Sequence, residues 1–125
     1  MCIRDSFAGV EFAEYQQLLE RSGVASAAQM GTGNAHSMLA NRVSYLLDLR
    51  GPSEVVDTAC SAGLVALHRA VQSIRSGESE WALAGAVSLN LMPETWVKTG
   101  QLGILSPDGR CRTFDAAANL SLIHI

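Results

Sequence analysis

The chain has 125 residues with nine basic and twelve acidic side chains, so its formal net charge at pH 7 is −3. This balance argues against the basic stripe of a nucleic-acid-binding protein, and no apolar run approaches the roughly 20 residues that span a bilayer. Hydrophobic residues make up 48% of the chain and charged residues only 17%. A small domain has much surface and needs more charged residues than this, so the composition predicts a part of a larger protein.

The two ends of the chain resemble translated cloning sequence. Residues 1–6 can be encoded by ATGTGTATAAGAGACAG plus one base, and residues 120–125 by CTGTCTCTTATACACATC. These strings are reverse complements over their overlap, as in the transposon adapters used to build sequencing libraries. An exported N-terminus is the alternative, but residues 1–6 lack the apolar core of a signal peptide. We therefore predict adapter-derived ends at 1–6 and 120–125 around a coding segment at 7–119.

Within the coding segment, the first half predicts a strand followed by two helices. Residues 7–10 are a strand remnant, and a helix over residues 11–21 ends at Ser22 and Gly23. The glycine-rich run at 31–34 predicts a turn. Apolar residues at helical spacing then predict a second helix, which stops at Gly51 and Pro52.

The second half repeats the alternation of strand and helix. A short strand is predicted over residues 53–59, and a helix over 61–76 that ends at Gly77 and carries an apolar stripe of residues 64, 67, 70, 71 and 74. Residues 81–89 are almost wholly apolar, which predicts a strand buried on both faces. Pro93 opens a short helix that extends to about residue 100, and turns follow from residue 106. This alternation predicts an α/β fold.

Cys60 is the candidate catalytic residue, because it lies where a predicted strand ends and a predicted helix begins. Backbone N–H groups and the helix dipole favour a thiolate there, and the small residues on both sides let a carbonyl group approach the sulfur. The backbone N–H of Cys60 is also a candidate oxyanion donor. From the residues alone, a buried structural thiol is the alternative, since free cysteine is among the most buried residue types.

Several motifs resemble one family in the same order along the chain. Residues 57–61 read DTACS and residues 64–68 read LVALH, which is similar to the active-site signature of polyketide ketosynthases. The commonest form of that signature has serines where this chain has Ala62 and Gly63. Further similar segments are GTGNA at 31–35, NRVSY at 41–45, LRGPS at 49–53, LSPDGRC at 105–111 and TFDAA at 113–117. On these motifs, residues 7–119 are identified as a partial beta-ketoacyl synthase domain of a modular polyketide synthase.

The resemblance implies the thiolase-like fold, with layers in the order αβαβα, of which this chain has part of the N-terminal half. It implies that Cys60 accepts an acyl chain from the phosphopantetheine arm of an acyl carrier protein. A carrier-bound malonyl unit would then lose CO₂ and attack the resulting thioester. It also implies a homodimer, and it places two catalytic histidines and a lysine downstream of residue 119, so the chain itself is expected to be inactive.

No bound cofactor or metal is expected, and neither nucleic acid nor membrane is an expected partner. The remaining cysteines and histidines have no recognisable zinc spacing, and the run at 31–33 lacks the third glycine of a dinucleotide site because residue 36 is histidine. The absence of an export signal favours a reducing, cytoplasmic compartment for the thiols.

Three other residues are not predicted to be catalytic. His68 follows Cys60 by eight positions, which is more than two helical turns and too far for a base, so a packed core histidine is predicted. His36 is expected to be structural or on the surface. Cys111 is expected to be structural, because no helix start follows it.

Two other functions remain as alternatives. A stand-alone fatty-acid beta-ketoacyl synthase would have the same fold, and flanking DNA for acyltransferase, reductase or carrier domains would distinguish it. A non-catalytic ketosynthase-like dimer partner is the second alternative, although such proteins replace the nucleophile and Cys60 is present.

Overall fold

The computed structural model describes residues 4–24 and 28–119, and these fall into two compact units that divide after Leu89. The predicted adapter-derived segment 120–125 lies outside the described residues, as do residues 1–3 of the other predicted adapter segment. Three strands and five helices alternate along the described residues. They are β1 (Arg4–Val10), α1 (Glu14–Arg21), α2 (Gln29–Asn34), α3 (Ser37–Leu46), β2 (Ser53–Val56), α4 (Ala62–Arg75), β3 (Trp81–Val87) and α5 (Pro93–Gln101).

The first unit is built on a parallel sheet with the strand order β2-β1-β3. In the central strand, Ala8 is opposite Val55 of β2 and Gly85 of β3. Because all three strands are parallel, their carboxyl ends lie at one edge of the sheet. The α/β class predicted from the alternation is therefore confirmed.

Three strand boundaries differ from the predicted ones, and one of them is the end of β3, at Val87 rather than at residue 89. β1 begins at Arg4, so residues 4–6 of the predicted adapter segment lie in the central strand. β2 ends at Val56, three residues earlier than predicted, because Asp57 begins a turn stabilised by its own side chain.

The predicted turn at 31–34 is wrong, because these residues are the last four of helix α2. The side-chain amide of Asn34 donates a hydrogen bond of 2.9 Å to the carbonyl oxygen of Met30, one helical turn earlier. The helix predicted over 11–21 begins later, at Glu14, and ends as predicted before Gly23, whose φ is +75°. Among the described residues, no helix has the length and hydropathy needed to cross a membrane.

Helix α4 packs on the sheet through small residues rather than through the leucines of its predicted apolar stripe. Ala66 is fully buried and forms the core with Phe7 and Ala70. Leu64, which was predicted to be in the stripe, is 75% exposed. Alanine side chains allow the helix axis to lie close to the strands, which leaves the leucines on the opposite side of the helix.

Strand β3 has no buried residue in this chain, although it was predicted to be covered on both faces. It is an outer strand of the described sheet, and Trp81, Leu83 and Val87 are all exposed large apolar side chains. The composition of β3 is therefore typical of a strand buried on both faces, but no described element packs over its exposed side chains.

The second unit contains α5 and the turns that follow it. α5 begins at Pro93 as predicted, and Met92 and Thr99 are buried beside its two ends. Residues 102–119 form turns and loops, which were predicted from residue 106, and the Ser106 hydroxyl oxygen lies 3.0 Å from the side-chain carbonyl oxygen of Asn119.

Candidate active site

Cys60 is exposed and lies in the connection between β2 and α4, at the carboxyl edge of the sheet. It follows the last residue of β2 by four positions and precedes the first residue of α4 by two. Helix α4 begins at Ala62, one residue later than predicted, and Ser61 is its N-cap. Ligands of open parallel α/β sheets bind at this edge, because the strand-to-helix connections meet there.

The turn before Cys60 has a strained backbone that local hydrogen bonds stabilise. Ala59 has φ of +53°, a left-handed conformation that residues with a Cβ rarely adopt. The carboxylate of Asp57 accepts a hydrogen bond of 3.1 Å from the Ala59 N–H. The Ser61 hydroxyl donates to the carbonyl oxygen of Thr58 at 2.8 Å, and the Ala62 N–H donates to the carbonyl oxygen of Ala59 at 2.9 Å. These bonds turn the chain sharply into α4.

Cys60 lines an open cleft of about 300 Å³ whose walls come from the ends of β1 and β3 and from the start of α4. Small side chains predominate in this lining, so a thioester carbonyl has room beside the sulfur. The lining residues are Gly9, Val10, Glu11, Ala59, Cys60, Ala62, Gly63, Ala86, Val87 and Ser88.

Sequence reasoning found the residues near Cys60 but missed the other two walls of the cleft. Glu11 follows the last residue of β1, and Ser88 follows the last residue of β3. Both residues could have been predicted from their position directly after a strand, since the carboxyl ends of adjacent parallel strands lie at the same edge of the sheet. The strand order needed to use that signal is not readable from the sequence.

Two glycines allow the start of α4 to lie against the sheet. A Cβ atom built on Gly9 of β1 would lie 2.8 Å from the carbonyl carbon of Ala62 and 2.9 Å from the backbone nitrogen of Gly63. A Cβ atom on Gly63 would lie 3.1 Å from the Cβ of Ala86 in β3. Position 63, where the common ketosynthase signature has a serine, therefore has little space for a side chain beside Ala86.

The comparison with protein families fits this geometry. The family model described as "Beta-ketoacyl synthase, N-terminal domain" matches residues 5–120. This chain belongs to the beta-ketoacyl synthase family. The match contains every described residue of the Cys60 cleft.

The curated relatives of this ketosynthase chain are large polyketide synthases. It is 56% identical over 111 residues to a phenolphthiocerol/phthiocerol polyketide synthase protein of Mycobacterium tuberculosis, covering 89% of this chain and 7% of that protein. It is 48% identical over 113 residues to a lovastatin diketide synthase of Aspergillus terreus, covering 90% of this chain and 5% of the relative. The chain thus spans less than a tenth of either relative.

Solved ketosynthase structures share its fold. An oxazolomycin ketosynthase domain of Streptomyces albus superposes with a TM-score of 0.78 at 37% identity, covering 96% of this chain and 21% of that one. The ketosynthase from module 6 of the bacillaene synthase of Bacillus subtilis gives the same TM-score and identity, covering 95% and 19%. The predicted thiolase-like fold and the predicted partial coverage of a ketosynthase are both confirmed.

The other candidate residues of this ketosynthase chain lie outside the cleft. His68 is on α4 but exposed, so the prediction of a core histidine is wrong for this chain, because the small-residue face of α4 packs on the sheet instead. His36 is half-buried just before α3. Cys111 is exposed in the second unit, with its sulfur 3.0 Å from the Thr113 hydroxyl, and turns follow it through Asn119. Among the described residues, no group of three or more His, Cys, Asp or Glu could hold a metal ion.

Proposed function

We propose that the protein to which this chain belongs is a polyketide ketosynthase and that Cys60 is its acyl-accepting nucleophile. One observation supports this most strongly. Cys60 is exposed in a cleft lined by small side chains at the carboxyl edge of a parallel sheet, within a segment that belongs to the beta-ketoacyl synthase family.

The first step of the proposed reaction transfers an acyl group to sulfur. The Cys60 thiolate attacks the thioester carbonyl of an acyl chain held on the phosphopantetheine arm of an acyl carrier protein. The tetrahedral intermediate collapses, the arm leaves as a thiolate, and a thioester on Cys60 is formed. Covalent catalysis of this kind divides one difficult condensation into two easier steps.

The second step extends the chain by two carbons. A carrier-bound malonyl unit loses CO₂, and the resulting enolate carbon attacks the thioester on Cys60, which releases the cysteine thiolate. The enolate and the developing oxyanion need donors such as the downstream histidines that the resemblance implies, and the Cys60 N–H is our proposed donor from this segment. No bound cofactor takes part in either step, since the substrates arrive on the carrier protein.

Two partners and a compartment belong to this proposal. The carrier protein supplies both substrates, and a second copy of the ketosynthase forms a dimer along β2, an outer strand of the described sheet. We place the protein in the cytoplasm, where an exposed thiol such as that of Cys60 stays reduced.

The polyketide assignment is favoured over the two alternatives. The relatives described above, at 48% and 56% identity, are polyketide synthases, which favours this class over a stand-alone fatty-acid enzyme. A non-catalytic dimer partner would not need an exposed cysteine in a cleft with space for a thioester.

Acyl loading of the intact domain tests the proposal. The complete ketosynthase domain is incubated with an acyl N-acetylcysteamine thioester, which mimics the end of the phosphopantetheine arm, and its peptides are analysed by mass spectrometry. We expect the acyl mass on the peptide that contains Cys60. Cys60→Ala should abolish loading, whereas Cys111→Ala, which removes the other described thiol, should load like the wild type. Loading that persists in Cys60→Ala would refute the assignment.

A further inference from the structure

Gly9 lies on the central strand, in the wall of the cleft that contains Cys60. The space that a Cβ atom of residue 9 would occupy is already filled by three main-chain atoms of Ala62 and Gly63, at 2.8 to 2.9 Å. Real Cβ atoms essentially never approach other heavy atoms this closely. The main chain at the start of α4 therefore lies directly against β1 at Gly9, the one residue of that strand without a side chain.

A side chain at position 9 would have to displace α4 rather than β1. Gly9 is paired on both sides, opposite Val56 of β2 and Ala86 of β3, so the strand is fixed by its neighbours. The atoms that a methyl group would meet belong to the backbone, which cannot rotate aside as a flexible side chain does. The first turn of α4 is the part that must yield.

Displacement of this turn would reach the thiol, because Cys60 precedes the first residue of α4 by only two positions. The turn between them is closed by the hydrogen bonds from Ser61 and Ala62 back to Thr58 and Ala59, so these residues move as one unit. We infer that Gly9 is a positioning residue for Cys60, because its missing side chain sets how closely the start of α4, and with it the thiol, approaches the sheet. This inference rests on the proposed function of Cys60.

Gly63 contributes to the same contact from the helix side. Its Cβ would lie 3.1 Å from the Ala86 Cβ, which is tighter than nine in ten real Cβ contacts but involves a side-chain atom. The contact can therefore be relieved by removing the methyl group of Ala86, whereas the contact at Gly9 has no side chain to remove. A substitution at Gly63 can therefore be compensated by a second substitution at Ala86, whereas a substitution at Gly9 cannot be compensated in this way.

The test compares Gly9→Ala with Gly85→Ala in the complete ketosynthase domain. Gly85 is the control, because it is a glycine of the adjacent strand and a Cβ there meets no atom of the described residues within 4 Å. A misplacement of about 1 Å can cost roughly 100-fold in rate, so we expect Gly9→Ala to slow acyl loading by roughly 10- to 100-fold in kcat with a smaller change in KM. Gly85→Ala should load at a rate close to that of the wild type. Thermal unfolding verifies that both variants are folded.

Two results would overturn the inference: a folded Gly9→Ala variant that loads at the wild-type rate, or equal losses in Gly9→Ala and Gly85→Ala. If Gly9→Ala does not fold, Gly63→Ala and the double variant Gly63→Ala/Ala86→Gly decide the question. The single variant should slow loading and the double variant should restore it, and failure to restore would count against the inference.

The proposed function can fail separately from this inference. If the wild-type domain accepts no acyl group, the ketosynthase assignment of Cys60 fails. The rate at which iodoacetamide alkylates Cys60 in the wild type, Gly9→Ala and Gly85→Ala still reports the position of the thiol. We expect that rate to change in Gly9→Ala alone, and an unchanged rate would overturn the positioning role.

Discussion

The two described cysteines are both exposed, but their surroundings differ. Cys60 lies just before the N-terminus of a fourteen-residue helix, in a cleft lined by small side chains. Cys111 lies in a loop with the Thr113 hydroxyl beside its sulfur. Exposure alone therefore does not distinguish them, and position relative to a helix does.

We expect iodoacetamide or cerulenin to modify Cys60 before Cys111 in the complete, folded domain. An alkylating reagent must reach the sulfur, and the small residues of the cleft leave room for it beside Cys60, so Cys60 should react faster. Mass spectrometry of the two cysteine-containing peptides over a time course measures the order. Earlier modification of Cys111 in a folded domain would argue against Cys60 as the nucleophile.

The sequence predicted the candidate nucleophile but not the residues that position it. Cys60 is recognisable because its neighbours in the chain form a local signature. Gly9 and Glu11 are about 50 positions earlier, and they come close to Cys60 only through the strand order β2-β1-β3. No local pattern in a single sequence shows the order of the strands in the sheet.

Asp5 is an unusual residue for the centre of a parallel sheet. It is 0% exposed and lies opposite Ala82 of β3. The hydroxyl groups of Ser73 and Ser79 donate hydrogen bonds to its Oδ2, but Oδ1 has no partner among the described residues. Burying a carboxyl group with an unsatisfied oxygen is costly, and the adapter origin of residues 1–6 stays a prediction.

We therefore predict that the natural gene encodes an uncharged residue at position 5. An uncharged side chain would remove the unsatisfied carboxyl oxygen from the central strand, and the two serine hydroxyls already lie 2.5 Å from each other and can pair. Sequencing the parent DNA without transposon adapters measures this directly. Recovery of both terminal hexapeptides from such DNA would show that the adapter prediction is wrong.

At the scale of elements, the sequence predicted whether a segment is a helix or a strand better than it predicted where the element ends or which of its faces is buried. Hydrophobic periodicity placed α4 and β3, but the face of α4 that packs on the sheet contains Ala66 and Ala70 rather than Leu64. Periodicity identifies the more apolar side of a helix, whereas a close helix-to-sheet contact selects the side with small residues. Helix α2 was missed because its glycines have low helix propensity, which tertiary context can override.

The loop after α5 contains a carboxylate that should make it sensitive to acid. Ser106 donates a hydrogen bond of 2.5 Å to Asp108, and Arg112 forms an ion pair with it at 2.6 Å. The hydrogen bond from Ser106, followed by the charge of Arg112, lowers the pKa of Asp108 from its ordinary value of 3.8. A lowered pKa means that the charged carboxylate stabilises the loop fully above pH 3.8, and that this contribution is lost as the pH falls through the lowered value.

We expect backbone amides near Asp108, such as that of Arg110, to exchange hydrogen faster below about pH 4 in the complete domain, after correction for the intrinsic exchange rate. Asp108→Asn keeps an acceptor oxygen but cannot titrate, so its exchange should not show this dependence on pH. The same acid response in Asp108→Asn would assign the effect to another group.

Strand β2 should be the element through which two copies associate. It is an outer strand of the described sheet, so one row of its backbone groups is available for pairing. We expect the complete domain to sediment as a dimer in analytical ultracentrifugation across the accessible concentration range. A monomeric domain that still loads acyl groups would refute this prediction.

At the scale of the whole molecule, the described residues leave a large amount of apolar surface uncovered. Tyr45 of α3 is 86% exposed and Leu64 of α4 is 75% exposed, and every large side chain of β3 is exposed as well. The chain spans only 19% to 21% of the solved ketosynthase chains. The apolar composition predicted a part of a larger protein. The structure agrees with this, because the described residues leave apolar faces uncovered.

The 125-residue chain should therefore neither catalyse condensation nor unfold cooperatively by itself. It has a candidate nucleophile but none of the downstream histidines that the resemblance implies, so no enolate would be stabilised. Burial of apolar surface contributes about 25 cal/mol per Å², and a folded domain retains a margin of only about 5 to 15 kcal/mol, so the loss of one covering layer can remove that margin. We expect aggregation, or a compact state without fixed side-chain packing.

Thermal unfolding of residues 7–119, followed by far-ultraviolet and near-ultraviolet circular dichroism, measures this outcome. We expect helical signal without a sharp transition, because α4 can form locally while the sheet lacks cover on β3. The complete domain, measured in the same buffer, should unfold in a cooperative transition and serves as the control. A soluble monomer of residues 7–119 with a sharp transition would show that this segment is a self-sufficient domain, and its exposed leucines would then need no missing partner.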